Sequence, residues 1–489
     1  MRGDERRDED RARAWVDDQA SPASKRMAMA GIGASIFMFT LDGNIVNIAM
    51  PTLVTTFNTT FATVQWVALS YLLVITSLML GAARLGDRFG KRRAYLWGLG
   101  LFTLSSLLCG MAPDVGWLIA FRALQGLGSV FFSALAAALV TLLFPPSERG
   151  RAMGIIGSMV LLGVALGPSV GGFLLALAGW RWLFFVNLPV GAAAAFLIYR
   201  SIPDALDVPQ VRRFDWLGTL WIGAVLLCFS LTLTRAQSYG FGDASALLLF
   251  IAAVAGAIGY RFIETLAAEP LIDLSVFHIR PFSLGVAMGN LVFVALSGIA
   301  FIQPFFLELV LHYPPAEAGL ILAVSPVVAG ILSPIAGSIA DRVGSEKLVI
   351  SGLALMAAGC LAMTTLHPEV TAWTYIARVI PIGIGMSAFQ SANSSSVMGA
   401  LPHDKIAIGS GLVSLARSLG QSIGVPLAGL LFAVFALHGA APVRGAELHN
   451  VSVESVSSGV RAVFLAALAV VAVALVLSLQ RTTERSRTG

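Results

Sequence analysis

A chain of 489 residues that is 57% hydrophobic and only 12% charged, with a mean hydropathy of +0.83, is not a soluble globular protein, whose charged share is about 25%. Lipid is its main solvent, and its unit of length is the membrane span of about 20 apolar residues. The net charge of +5 sits between the apolar runs, so it bears on orientation and excludes a nucleic-acid partner.

In chain order, the first residues mix both signs around no apolar core and predict a disordered cytoplasmic tail over 1–26, not a secretory signal. Apolar runs then recur at 27–49, 65–84, 94–112, 117–144, 153–178, 183–201, 216–234, 244–263, 283–310, 319–340, 348–366, 371–400, 406–437 and 459–479. These are fourteen predicted helical spans. No joint between them is long enough for a soluble catalytic domain. Arg84, Arg88, Lys91, Arg92, Arg93, Arg149, Arg151, Arg200, Arg212 and Arg213 crowd one set of joints, whereas the alternate joints hold Arg181, Arg235, Arg444 and Arg461. The positive-inside rule puts the first set in the cytoplasm, and an even number of spans puts both termini there.

Cys109, Cys228 and Cys360 are scattered through apolar runs with no metal or disulfide spacing. No span carries a converging nucleophile, base or metal set, which argues against an enzyme. Gly90-Lys91-Arg92 lacks the spacing of a phosphate loop.

Three features recur at nearly one offset. Arg84–Gly90 resembles Ser338–Gly344, about 254 residues later; Arg122 is echoed by Arg378, and Gly163–Gly172 by Gly420–Gly429. The chain therefore divides into two six-span halves, 27–201 and 283–479, separated by a linker over 202–282 with two inserted spans and followed by a tail over 480–489. Parallel halves place a substrate path at their interface.

Within the first half, Leu41-Asp42-Gly43-Asn44-Ile45-Val46-Asn47 puts a carboxylate inside a span. That costs a few kcal/mol unless Asp42 faces water, is protonated part of the time, or is held in a hydrogen bond between spans. Arg122 and Gln125 share a helix face, and an arginine cannot shed its proton, so it needs a partner or water. Gly163, Gly167 and Gly171, four apart, form a groove for a neighbouring helix. Pro168 deprives the Val164 carbonyl of its helical donor and bends the span. Gly90 allows a tight turn, and Asp87 can accept hydrogen bonds at the start of the next helix. Trp180-Arg181-Trp182 through Asn187-Leu188-Pro189 reads as an interfacial aromatic anchor. Arg417 and Gln421 share a face of span 13. Glu308, near the outer end of span 9, is either a rim carboxylate or a proton or cation site. Asn47, Gln65, Tyr71, Gln125, Asn290, Gln303, Gln390 and Asn393 either line a path or tie helices together.

Together these stretches resemble the major facilitator superfamily and, within it, the fourteen-span drug:proton antiporters, over almost the whole chain. Leu41–Pro51 is similar to the family's L-D-x-T-I-V-N-V-A-L-P, with Asn44 in place of threonine. Ala83–Arg92 is similar to G-x-L-A-D-R-x-G-R-K, with Ala83 in place of glycine. Arg122–Gly128 matches R-x-x-Q-G-x-G, and Gly163–Gly172 matches the antiporter signature G-x-x-x-G-P-x-x-G-G. The resemblance implies an all-α integral membrane protein of fourteen helices, two six-helix halves plus two inserted ones, in the bacterial inner membrane. It implies export of amphipathic or cationic drugs by alternating access, driven by the proton gradient without a cofactor or metal. Its partners would be the bilayer, the substrate, protons and a periplasmic adaptor. Asp42 would bind the proton, Arg122 would sense its charge, and Glu308, where the family carries glutamine, would be a second site. Gly86, Asp87, Arg88, Gly90, Lys91 and Arg92 would latch the cytoplasmic side. Gly163, Gly167, Pro168, Gly171 and Gly172 would seal and bend. A dedicated exporter of one metabolite, such as an antibiotic, a siderophore or a sugar, is the alternative with the same fold.

Overall fold

A computed structural model of the chain describes residues 22–202, 216–239, 242–266, 274–402, 405–436 and 452–488. Residues 1–21 of the tail predicted over 1–26, the linker arginines Arg212 and Arg213, and Arg444 lie outside them, while Pro22–Arg26 are not a disordered tail but the start of a helix.

The described residues are helical almost throughout, with one long helix at each predicted span. In order these are α1 (Pro22–Ile45), α2 (Phe61–Phe89), α3 (Lys91–Gly110), α4 (Val115–Leu143), α5 (Pro146–Ala178), α6 (Asn187–Ser201), α7 (Trp216–Tyr239) and α8 (Ala244–Leu266). They continue with α9 (Arg280–Phe305), α10 (Pro315–Val343), α11 (Ser345–Met363), α12 (Ala372–Gly399), α13 (Ile406–Ala436) and α14 (Val453–Thr488). A 3₁₀ turn at Asn47–Ala49 and a short helix at Met50–Thr56 carry α1 onward, and a π-helical turn at Phe306–Val310 ends α9.

The fourteen predicted crossings are met in part. Twelve of these helices are long and apolar enough to cross a membrane. α3 falls short because Lys91, Arg92 and Arg93 occupy its first turn. The apolar part of α8 is Ala244–Tyr260, whose 17 residues span roughly 26 Å at the α-helical rise, against about 30 Å of hydrocarbon.

Local chemistry explains where the helices begin and turn. Asp114 caps α4, its Oδ1 accepting from the Trp117 N–H at 3.0 Å, and Thr371 caps α12 in the same way through Thr374. Asp243 precedes α8 and accepts from the Ser245 hydroxyl and the Ala246 N–H, which holds its carboxyl below the usual carboxylate range. Gly90 at φ +95° and Gly344 at φ +97° turn the chain between α2 and α3 and between α10 and α11. That left-handed backbone favours glycine at both points. The motif predicted as a loop is therefore mostly helix: residues through Phe89 belong to α2, and Gly90 alone makes the turn. The repeat extends to packing. Gly98 of α3 abuts the Gly128 carbonyl of α4, as Gly352 of α11 abuts the Gly385 carbonyl of α12.

α1 to α6 pack chiefly on one another, as do α9 to α14, and the two groups meet along α5 with α10 and along α2 with α13. At the face opposite the basic joints, Phe61 of α2 lies 5.4 Å from Phe301 and 4.8 Å from Phe305 of α9, and 5.1 Å from Phe432 of α13, ring centre to ring centre. This buried aromatic plug closes that face.

The inserted helix α7 is fastened across the α2–α13 seam. Gln65 of α2 donates to the Val425 carbonyl of α13 at 2.6 Å. Gln237 of α7 donates to Gln65 Oε1 at 2.9 Å and to the Pro426 carbonyl at 3.2 Å. Gly429 leaves the room both amides occupy, and Leu233 and Ala236 of α7 pack on Leu430. Replacing Gln237 with leucine strips two acceptors of a partner, a loss of about 1–3 kcal/mol for buried groups. Gln237→Leu is expected to lower the thermal unfolding midpoint in detergent, and Gly429→Val, which displaces both amides, to lower it further. Midpoints equal to the parent's would contradict the bridging role of α7.

Candidate functional site

The first half encloses a buried polar network. Asp42 (α1), Ser106 (α3), Arg122 and Gln125 (α4) and Asn187 (α6) are each at most 1% exposed. Arg122 Nη1 donates to Asp42 Oδ2 at 2.6 Å and to Gln125 Oε1 at 2.6 Å. Its Nε donates to the Val67 carbonyl of α2 at 3.1 Å. The guanidinium also stacks on Tyr71, 4.1 Å from the ring centre. Asp42 Oδ1 accepts from Asn187 Nδ2 at 2.7 Å and from Gln125 Nε2 at 3.1 Å. Ser106 Oγ accepts from both amides and donates to the Phe184 carbonyl at 2.9 Å.

Every one of these contacts to Asp42 is a donor. The arrangement suits the charged carboxylate, and these groups offer an acid proton no acceptor. Of the states the sequence left open for Asp42, the structure shows the hydrogen bond between spans, in the form of an ion pair. A buried pair costs much desolvation and is held by its geometry and added hydrogen bonds, which the two amides and the Tyr71 face supply.

The sequence reading named Asp42, Arg122, Gln125 and Tyr71 but missed Asn187 and Ser106. Asn187 was hidden among aromatic residues of an apparent interfacial anchor. The signal was an amide at a helix start, two residues before Pro189, in an apolar stretch. Ser106 sits in no motif and gave no signal. Trp182 is half exposed, as an anchor would be, while Trp180 is buried beneath the Arg181 guanidinium at 4.4 Å.

The glycines of α5 serve two neighbours. A methyl on Gly163 would overlap Thr40, one on Gly167 would lie 2.7 Å from Asn44 Cβ, and one on Gly171 would lie 2.7 Å from Ile48 Cγ2. That groove therefore receives α1, the helix that carries Asp42. The next face receives α10 of the other half: Gly172 abuts the Pro315 carbonyl, and Gly319 abuts the Pro168 carbonyl. Ser169 Oγ reaches the Gly319 carbonyl at 3.4 Å.

Around the α2–α3 turn, Gly86 packs on Leu135 of α4, and Arg88 is exposed beside Phe89. Arg92 is buried and pins α3 to α6 through the Tyr199 carbonyl at 3.0 Å. Lys91 is half-buried; the Asp87 side chain lies outside the described residues. Among the other predicted residues, Gln65 sits in the seam with Gln237. Asn290 donates to the Ala416 carbonyl at 2.8 Å, tying α9 to α13, and Asn393 donates to the Gly285 carbonyl at 3.0 Å, tying α12 to α9. Gln303 is buried, while Asn47 and Gln390 are half-buried. Glu308 lies in the π-helical turn with a buried Oε1 that has no hydrogen-bond partner among the described residues. Arg378 reaches the Thr365 carbonyl at 3.1 Å near the end of its helix.

Two packed helical halves around an inter-half seam define a membrane transporter. The family model described as the Major Facilitator Superfamily matches residues 32–310 and 286–488. The chain belongs to that superfamily and is a multi-pass membrane transporter of small molecules, not an enzyme. It is 31% identical to the riboflavin transporter RibZ of Clostridioides difficile, over 81% of this chain and 86% of that protein. It is 30% identical to the multidrug resistance protein Stp of Mycobacterium tuberculosis, over 84% of this chain and 76% of that protein. A crystal structure of a bacterial homologue of the human lysosomal transporter Spinster shares the fold, with a TM-score of 0.67 at 15% identity over 94% of this chain and 97% of that one.

Asp42→Asn leaves the Arg122 charge buried without its counter-charge, a cost of about 3–5 kcal/mol. The double variant Asp42→Asn/Arg122→Gln is expected to unfold at a higher temperature than Asp42→Asn alone. Additive losses in that cycle would contradict a direct pair.

Proposed function

We propose that this chain is a proton-coupled exporter of amphipathic compounds, working by alternating access in a bacterial inner membrane with both termini in the cytoplasm and fourteen helices crossing. The observation that carries the reading is the buried Asp42–Arg122 pair. A proton on Asp42 removes half of the ion pair and adds a donor among donors, so the network must rearrange. Asp42 rides on α1, α1 lies in the glycine groove of α5, and the next face of α5 closes on α10. Protonation at Asp42 is thereby coupled to the contact between the halves. The residues from Gly86 to Arg92 act as the cytoplasmic latch, and Glu308, with its orphaned oxygen, is the second proton site. A cationic substrate would need a carboxylate free to meet it. Asp42 is enclosed by its own donors, and Glu308, with its orphaned oxygen, is better placed for that task.

The similarity to Stp supports multidrug export. The similarity to RibZ supports the second reading, a dedicated transporter of one metabolite. In a host stripped of its own efflux pumps, the native chain is expected to give resistance to several unrelated lipophilic compounds, and Asp42→Asn to lose it at equal membrane abundance. Resistance that survives the substitution moves the coupling to Glu308. Absence of resistance, with the protein present in the membrane, favours the single-metabolite transporter.

A further inference from the structure

α13 packs on α2, α9 and α7 along its length and on α14, where Gly459 abuts Phe432 and Ala436 at its outer end. Ser418, Ser422 and Val425 face α2, through Met79 Sδ at 3.8 Å, Thr76 Oγ1 at 3.0 Å and Gln65 Nε2 at 2.6 Å. Ala416, Gly420 and Gly424 face α9, against Asn290 and Val294. Leu427 and Leu430 face α7. The remaining sector carries Ser410, Ser414, Arg417 and Gln421, spaced four, three and four apart, which makes one stripe along a helix. All four are exposed or half-exposed. The same sector leads on to Phe432, which closes the aromatic plug between the halves with Phe61 and Phe305. The stripe therefore lies below the plug, between the face of α13 that meets α2 of the first half and the face that meets α9. Intramembrane arginines face a bundle interior or a water-filled path and mark the route of a substrate or ion.

Arg417 forms no ion pair among the described residues; its described neighbour is Phe293 of α9, 6.0 Å from ring centre to Cζ. Away from the helix ends, the carboxylates of the described spans are Asp42, which is committed to Arg122, and Glu308; Glu148, Glu317, Asp341, Glu346 and Glu454 lie in first or last turns. Glu308 is fifteen residues beyond Phe293 along α9, roughly 22 Å at the helical rise. A half-buried, permanently charged guanidinium on one stripe with an amide and a hydroxyl, and near an aromatic face, has the groups that receive an oxyanion on an apolar body.

We propose that Arg417 is a substrate-recognition residue, and that the path takes amphipathic anions: ring systems that carry a carboxylate, enolate or phosphate. The inference rests on the transport reading for the path itself but not on proton coupling.

The test uses the full chain in phosphatidylcholine nanodiscs with two dyes that share a ring skeleton, anionic fluorescein and cationic rhodamine 123, and reads binding by fluorescence anisotropy. Fluorescein is expected to bind more tightly than rhodamine 123. Arg417→Gln should weaken it by about tenfold or more, the scale of one charge-assisted hydrogen bond, with rhodamine 123 unaffected. Arg417→Lys should restore part of the loss. Should Arg417→Gln fail to fold, displacement of fluorescein from the native chain by 1-naphthoate but not by 1-naphthylmethylamine carries the same information. Tighter binding of rhodamine 123, absence of fluorescein binding, displacement by the amine, or unchanged affinity in a folded Arg417→Gln variant each overturns the proposal. Dye transport in proteoliposomes that ignores the proton gradient, together with the expected binding pattern, would sink the coupling mechanism and leave the anion site standing.

Discussion

A carboxylate and a guanidinium sealed together inside lipid constrain the rest of the first half. Neither group tolerates the interior alone, so the helices that enclose them must bring hydrogen-bonding groups to the same point. α4 brings Arg122 and Gln125, α6 brings Asn187, α3 brings Ser106, and α2 brings the Val67 carbonyl and the Tyr71 ring. Five helices are thus fixed in register by one pair of charges. In the proposed cycle the same dependence turns a single proton into a mechanical event, because nothing in the network accommodates a neutral Asp42 without moving.

Close glycine packing passes that constraint outward. Lipid offers no hydrophobic drive between helices, so contact at backbone distance is what holds them. The α5 glycines let α1 and α10 approach on adjacent faces, linking the carboxylate helix of one half to the first turn of the facing helix in the other. The second half uses the same device differently. Gly420 and Gly424 of α13 receive α9, while Gly429 makes space for the amides of Gln65 and Gln237. Through those amides an inserted helix is tied to both halves at once.

Much of the fold was legible in the sequence because hydropathy and glycine spacing are local signals. All the long helices, the turns at Gly90 and Gly344 and the repeat could be read from them. The membrane count was less secure, since the charged first turn of α3 and the short apolar part of α8 sit at the limit of a span. The site was legible as residue types but not as partners. Periodicity puts Arg122 and Gln125 on one face, but it does not say that Asp42, eighty residues away, is opposite. The same limit explains Gln65, Asn290 and Asn393. A polar side chain on an apolar helix reads equally as a path lining or an interhelical tie, and packing alone separates the two. Arg417 shows the converse: its face was readable, but its place between the α2 and α9 faces of α13 became visible only once those helices had been located.

The coupling between Asp42 and the closed face is most directly tested by distance. Spin labels at Pro113, in the α3–α4 joint, and Glu369, in the α11–α12 joint, sit on exposed positions of opposite halves. Pulsed electron resonance in lipid would report their separation as pH is lowered. Proton coupling through Asp42 predicts a growing long-distance population in the native chain and the same long distance at every pH in Asp42→Asn. Distributions that match between the native chain and the variant at each pH would contradict it.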